Sequence, residues 1–131
     1  MILIDTSVWI DFFNGNETRQ VSLLESLISE EEDVCLSEYI LTEVLQGFRN
    51  ENHFLNARRQ LLNFPIYGLS GPDPYVRAAQ IYRACRRQGI TIRKTADCII
   101  AQTVIEHDLY LLHNDADFDK IADVCALNIY S

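Results

Sequence analysis

The sequence predicts an α/β fold, a three-layer α/β/α sandwich around a mostly parallel five-stranded sheet, formed by one domain over residues 1–131. Three observations lead there. Short runs of strand length alternate with longer amphipathic stretches, the order that builds parallel sheets. Several of the runs are uniformly apolar rather than alternating, which suits strands covered on both faces. The chain is 48% apolar and 23% charged, the composition of a globular domain, and at this length a core can form without disulfide or metal staples. No internal repeat, low-complexity tract or linker divides it.

The strand candidates are the runs 1–4, 34–36, 66–69, 109–113 and 127–130, each short and rich in β-branched or aromatic residues. Between them, Val21, Leu24, Leu27 and Ile28, and then Ile40, Leu41, Val44, Leu45 and Phe48, recur at spacings that give one apolar stripe on a helix. Further helices are expected over about 52–63, 73–88 and 95–107. Asp73-Pro74 places proline in a first turn, Gly89 follows Arg86-Arg87-Gln88 as a stop, and Thr95 is expected to cap the helix that carries Asp97.

In parallel sheets of this kind the ligand crevice lies beyond the carboxyl ends of the strands. Asp5 closes the first run and Asp115 follows the fourth, so both are expected to face one crevice. Asp97 falls in the first turn of a helix, where the macrodipole favours a negative side chain. Glu43 lies within Ile40-Leu41-Thr42-Glu43-Val44-Leu45, on a face expected to be buried, where an unpaired charge is costly. Singly, each has an ordinary explanation as a turn former, helix-start residue or surface charge. Together they would repel, by about 4 kcal/mol per close pair at intermediate dielectric. A divalent cation removes that conflict. Hard oxygen donors with no cysteine or paired histidine nearby point to Mg²⁺ or Mn²⁺ rather than Zn²⁺.

The net charge of −8 and pI near 4.7 argue at first against a nucleic-acid partner. The distribution reverses that reading. Residues 49–94 hold nine of the eleven basic residues and only two acids, Glu51 and Asp73, leaving a surplus of seven positive charges in the middle of an acidic chain. Arg58, Arg59, Arg86, Arg87, Arg93 and Lys94 are candidates to hold backbone phosphates. Cys35, Cys85, Cys98 and Cys125 form no C-x-x-C pair and read as buried free thiols, an expectation that favours the cytoplasm. No run approaches a membrane span, and Met1-Ile2-Leu3-Ile4-Asp5 is not expected to be a signal peptide.

Four segments, Asp5-Thr6-Ser7-Val8-Trp9-Ile10-Asp11-Phe12-Phe13, Thr42-Glu43-Val44-Leu45-Gln46-Gly47-Phe48-Arg49, Thr95-Ala96-Asp97-Cys98-Ile99-Ile100-Ala101 and Leu112-His113-Asn114-Asp115-Ala116-Asp117-Phe118, closely resemble in order and spacing the motifs of PIN-domain ribonucleases. The resemblance spans essentially the whole chain and is strongest to the VapC toxins of toxin–antitoxin pairs. It implies a PIN-like fold and a metal-dependent endoribonuclease that leaves a 5′-phosphate and a 3′-hydroxyl. Asp5, Glu43, Asp97 and Asp115 would then be the acidic quartet, with Asp5, Asp97 and Asp115 on Mg²⁺ or Mn²⁺ and Glu43 at a second metal or the attacking water. Thr6, Ser7 and Asn114 would support the acids, with Asp117 as an occasional extra acid. RNA is the implied substrate, a small cognate antitoxin the implied inhibitor, and a homodimer the implied assembly.

Other readings fit the residues less well. Asp115-x-Asp117-x-Asp119 imitates an EF-hand loop, but Lys120 stands where glycine is needed. The five glycines form no phosphate-cradling loop. A PIN-like module that binds RNA or protein without cutting is the alternative from another class, and it has no physical use for four mutually repelling acids.

Overall fold

A computed structural model describes residues 1–131. The chain runs β1 (Ile2–Ile4), α1 (Thr6–Phe13), α2 (Arg19–Ser29), β2 (Val34–Ser37), α3 (Glu38–Gln46), α4 (Glu51–Leu61), β3 (Ile66–Tyr67), α5 (Asp73–Arg87), α6 (Thr95–Glu106), β4 (Tyr110–Leu112) and α7 (Ala116–Ala122). The sheet order is β3-β2-β1-β4, with every pairing parallel. The chain therefore steps outward from β1 through β2 to β3, then crosses to the other side of β1 to lay down β4. Right-handed crossovers put the helices that follow β1 and β2 on one face and α5 and α6 on the other. The reversal lies between β1 and β4, and a switch point of this kind opens a crevice at the carboxyl ends of its two strands.

The expectation of five strands is corrected to four. Residues 127–130 contribute a single parallel bridge between Leu111 and Ile129. Leu111 N–H reaches the Asn128 carbonyl at 2.9 Å and Tyr130 N–H the Leu111 carbonyl at 2.8 Å. The segment pairs at one residue and forms no ladder. Two short helices, α1 and α7, arise where the sequence suggested only strand-end loops. Both begin at an aspartate that caps them.

The apolar runs become the core. Leu3, Ile4, Leu36, Leu111 and Leu112 are fully or almost fully buried in the sheet, consistent with strands covered on both faces. Trp9, on α1, packs 5.9 Å from Phe12, 6.1 Å from Phe13 and 5.6 Å from Phe64, ring centre to ring centre. These contacts tie α1 to the end of α4. Cys35, Cys85 and Cys98 are buried free thiols as expected, while Cys125 is only half-buried. Burial pushes the Cys35 and Cys98 thiols up to about 12. No helix is long and apolar enough to cross a membrane.

Helix ends follow the sequence except at one point. Gly89 takes φ +74°. Its N–H bonds the Arg86 carbonyl at 3.0 Å, and Ile90 N–H bonds the Cys85 carbonyl at 2.9 Å. This closes α5 with the paired bonds of a Schellman motif. Thr95, by contrast, does not cap α6: it is the first helical residue, and Lys94 occupies the cap position with no side-chain hydrogen bond. The first-turn amides of α6 are left without a cap from the chain, beside Asp97.

Candidate active site

Asp5 and Asp115 stand at the ends of neighbouring strands because each terminates one and starts a helix. Asp5 caps α1, its Oδ2 accepting Ser7 N–H at 3.1 Å. Its own N–H donates to the Leu112 carbonyl at 3.0 Å, which continues the β1–β4 ladder by one step. Asp115 caps α7 in the same way, its Oδ1 accepting Asp117 N–H at 3.0 Å. The turn-forming explanation and the crevice-facing explanation thus describe the same residues. Capping uses one oxygen of each carboxylate.

Hydroxyls hold two of the acids. Ser7 Oγ donates to Asp5 Oδ2 at 2.6 Å and accepts Asn114 N–H at 3.0 Å, so one hydroxyl links the ends of β1 and β4 across 107 positions of sequence. Asn114 therefore acts through its backbone, and its side chain is exposed. Thr6 Oγ1 donates to Glu43 Oε1 at 2.7 Å, fastening α3 to the start of α1. Both hydroxyls of the Thr6-Ser7 pair are used, each on a different acid. Glu43 is half-buried rather than buried.

The electrostatics are those of crowded anions. Asp97 is 5% exposed and its Oδ2 has no hydrogen-bond partner. Burial, then the charges of Asp115 and Asp5, push its carboxyl from 3.8 up to about 7. Asp5, 4% exposed, is raised by burial in spite of its bonds from Ser7 and Thr6. Glu43 is raised by burial and by Asp5, against the pull of Thr6 and Lys94. Three acids from β1, α3 and α6 thus face an environment that disfavours their charged forms. Perturbed carboxylates of this kind mark functional sites.

Asp117 behaves differently. It is the most buried of the acids, 1% exposed. Burial pushes its carboxyl up, but the Arg93 side chain, the Arg93 backbone and Lys120 outweigh this and hold it below the usual carboxylate value. Arg93 Nε lies 3.2 Å from Asp117 Oδ2, and Lys120 Nζ 3.4 Å from Asp117 Oδ1. Arg93 Nη2 also reaches Asp115 Oδ1 at 3.4 Å. The sequence marked Arg93 only as a phosphate contact, and nothing local signalled its hold on two acids. His113 was likewise missed. Its Nδ1 accepts Asp115 N–H at 3.0 Å, which leaves Nε2 to carry the hydrogen toward Asp119 Oδ1 at 3.1 Å.

A divalent ion suits this donor set on one structural ground above others: a nearly fully buried carboxylate oxygen, Asp97 Oδ2, has no partner and sits in the field of three further carboxylates, Asp115, Asp5 and Asp117. An apolar neighbour would not relieve that charge. No three acidic, histidine or cysteine side chains converge closely enough to grip one ion as they stand, as mutual repulsion dictates for like charges without a counter-ion.

The adjacent arginines are spread over two helices: Arg58 and Arg59 lie in the last turn of α4, and Arg86 and Arg87 in the last turn of α5. Arg77 pairs with Glu106 at 2.9 Å, joining the start of α5 to the end of α6. The two helices therefore run antiparallel, and the opposite end of α5 brings Arg86 and Arg87 toward the start of α6 and its Asp97. Arg86 lies over the Tyr82 ring, 5.7 Å from its centre. On the other flank, a groove lined by Ile10, Phe13, Asn14, Val44, Gly47 and Phe48 runs between α1 and α3. Ile10 is 42% exposed within it. Ile10 and Gly47 lie about one helical turn beyond Thr6 and Glu43 in sequence.

Residues 2–124 match the family model described as PIN domain. The chain is 36% identical to the VapC ribonuclease Mb1587 of Mycobacterium bovis and to the ribonuclease VapC11 of Mycobacterium tuberculosis, with all of this chain and 98% of each relative covered. Among solved structures it resembles VapBC2 from Rickettsia felis bound to a DNA fragment from their promoter, with TM-score 0.77 and 17% identity, covering 99% of this chain and 98% of that one. That last likeness bears on the fold.

Proposed function

The chain belongs to the PIN-domain family, among the VapC ribonucleases, and on that basis we propose that it is the toxin of a toxin–antitoxin pair, an endoribonuclease that hydrolyses RNA phosphodiesters with a divalent cation, Mg²⁺ or Mn²⁺. The observation that carries the metal-dependent part is the buried, unpartnered Asp97 oxygen among carboxylates whose charged forms are disfavoured. Asp5, Asp97 and Asp115 would hold the cation. When bound, it would supply Lewis-acid stabilisation of charge developing on the phosphate and lower the pKa of water.

The chain's own residues account for the rest. Ser7 fixes the orientation of Asp5 and ties it to the loop that carries Asp115. Such supporting bonds keep ligating oxygens aimed. Thr6 occupies Glu43 Oε1, which leaves Oε2 to accept a hydrogen bond from the attacking water. The water oxygen bonds to phosphorus as the bond to the 3′ oxygen breaks, leaving a 5′-phosphate and a 3′-hydroxyl. Arg86, Arg87 and Lys94 hold flanking phosphates without reading bases. Arg58 and Arg59 are also exposed, on α4. The groove between α1 and α3 suits an apolar antitoxin segment whose end reaches the acids, where a guanidinium would satisfy them. The family resemblance extends the proposal to a homodimer in the cytoplasm.

The test is RNA cleavage by the purified chain in Mg²⁺ or Mn²⁺, compared with Asp5→Asn and Asp97→Asn. Cleavage ends by either substitution if the reading holds. Equal cleavage by wild type and both variants overturns it, and a folded wild type that binds no divalent ion in a calorimetric titration favours a non-catalytic module.

A further inference from the structure

Arg93 makes three contacts with two acids. Its backbone N–H and its Nε both reach Asp117 Oδ2, at 3.4 and 3.2 Å, while Nη2 reaches Asp115 Oδ1 at 3.4 Å. The two ends of this bridge are unequal. Asp117 is 1% exposed and also receives Lys120 on its other oxygen, so losing Arg93 there would leave a buried charge short of partners. At the Asp115 end the guanidinium contact is long, the Arg93 side chain is 69% exposed, and Asp115 Oδ1 already accepts Asp117 N–H. One end is an anchor. The other can let go at little cost, because exposed ion pairs contribute little.

The same Asp115 belongs to the charge field around Asp97, whose Oδ2 has no partner. Arg93 is thus the cation in contact with Asp115 on that side of the crevice. We propose that Arg93 is a built-in competitor of the divalent cation, pairing with Asp115 in the metal-free protein and released from it on metal binding while Asp117 retains its Nε. Release leaves the Nη donors free at the crevice, where a phosphate would be held, so metal entry and substrate binding are coupled through one side chain. The inference rests on the metal-dependent reading above.

Calorimetric titration of Mn²⁺ into the metal-free full chain tests it, with wild type, Arg93→Ala, Arg93→Gln and Arg93→Lys compared and folding checked by thermal melting. Removing the competing charge is expected to tighten Mn²⁺ binding about three- to tenfold in Arg93→Ala and Arg93→Gln. The glutamine amide can still donate to Asp117, which covers the case in which the alanine variant fails to fold. Arg93→Lys keeps the charge but replaces the fork that reaches both acids with a single ammonium, so Mn²⁺ binding should tighten less than in Arg93→Ala. Unchanged or weaker binding by the neutral variants overturns the proposal, because a purely structural Arg93 would loosen the site when removed. A wild type that binds no Mn²⁺ overturns the metal reading itself, and this inference with it.

Discussion

Asp97→Asn should stabilise the metal-free protein while destroying its response to metal. The carboxyl is 5% exposed, with its pKa raised from 3.8 to about 7. At 1.36 kcal/mol per unit that rise corresponds to a ceiling of about 4 kcal/mol. Because this acid's folded pKa is raised, the neutral form costs nothing below about pH 4, and stability is lost progressively as the pH climbs from there through 7. Above pH 7 the ionised carboxylate opposes folding by the whole amount. Asparagine keeps the shape and removes the charge. If relaxation of the site absorbs half of the strain, a gain of about 2 kcal/mol remains at pH 8, or about 8 °C in melting temperature for a chain of this size. Near pH 4 the gain should vanish. Thermal unfolding followed by circular dichroism at pH 4, 6 and 8, with and without Mn²⁺, reads all of this. Wild type should gain stability from Mn²⁺ at pH 8 by mass action, and the variant little or none. A variant that melts at or below wild type at pH 8, or gains equally at every pH, would refute the claim that Asp97 is held as a repelled, unpartnered anion.

Other substitutions separate positioning from folding. Ser7→Ala removes the hydroxyl that joins Asp5 to the Asn114 backbone, and cleavage rate should fall about 10- to 100-fold while the chain stays folded. Retention of full activity would show that Asp5 needs no such support. Ile10→Glu places a charge in the groove between α1 and α3 at a residue already 42% exposed. Affinity for the cognate antitoxin, measured by titration, should drop at least about tenfold with melting temperature nearly unchanged; unaltered affinity would move the antitoxin to another face. Gly89→Ala forces a Cβ into φ +74° at the end of α5, and chemical denaturation should show a loss of about 1 kcal/mol. No loss would mean that the turn re-forms in another conformation.

Where local pattern sufficed, the sequence reading and the structure agree. Apolar runs marked β1, β2, β3 and β4 to within a residue or two, because the central strands, covered on both faces, are apolar at almost every position. Asp5 and Asp115 were legible as strand-end acids for a related reason: each is both the stop of a strand and the cap of a helix, and those demands act over a few residues. The short helices α1 and α7 were overlooked because they follow those caps directly and are only eight and seven residues long, too short for periodicity to speak. Thr95 misled because a threonine before a helical run resembles a cap, whereas the helix starts on it and leaves Lys94 outside. The fifth strand misled because apolar content says nothing about how many residues find a neighbour.

What the sequence by itself determined, then, is the inventory: a parallel α/β domain, two acids at its strand ends and two more on helices, a basic middle segment, and the motif order of the PIN domain. What the tertiary structure alone decided is the pairing. Ser7 serves Asp5 and Thr6 serves Glu43, although the two hydroxyls are adjacent in sequence and equally plausible for either acid. Asp117, which ranked behind the quartet, is the most deeply buried acid, and Arg93 is bound to it and to Asp115 across more than twenty positions. The physical reason is the range of the forces involved. Propensity, capping and amphipathicity are settled within a turn or a strand, whereas the partner of a charge is whichever group the packed layers bring to it.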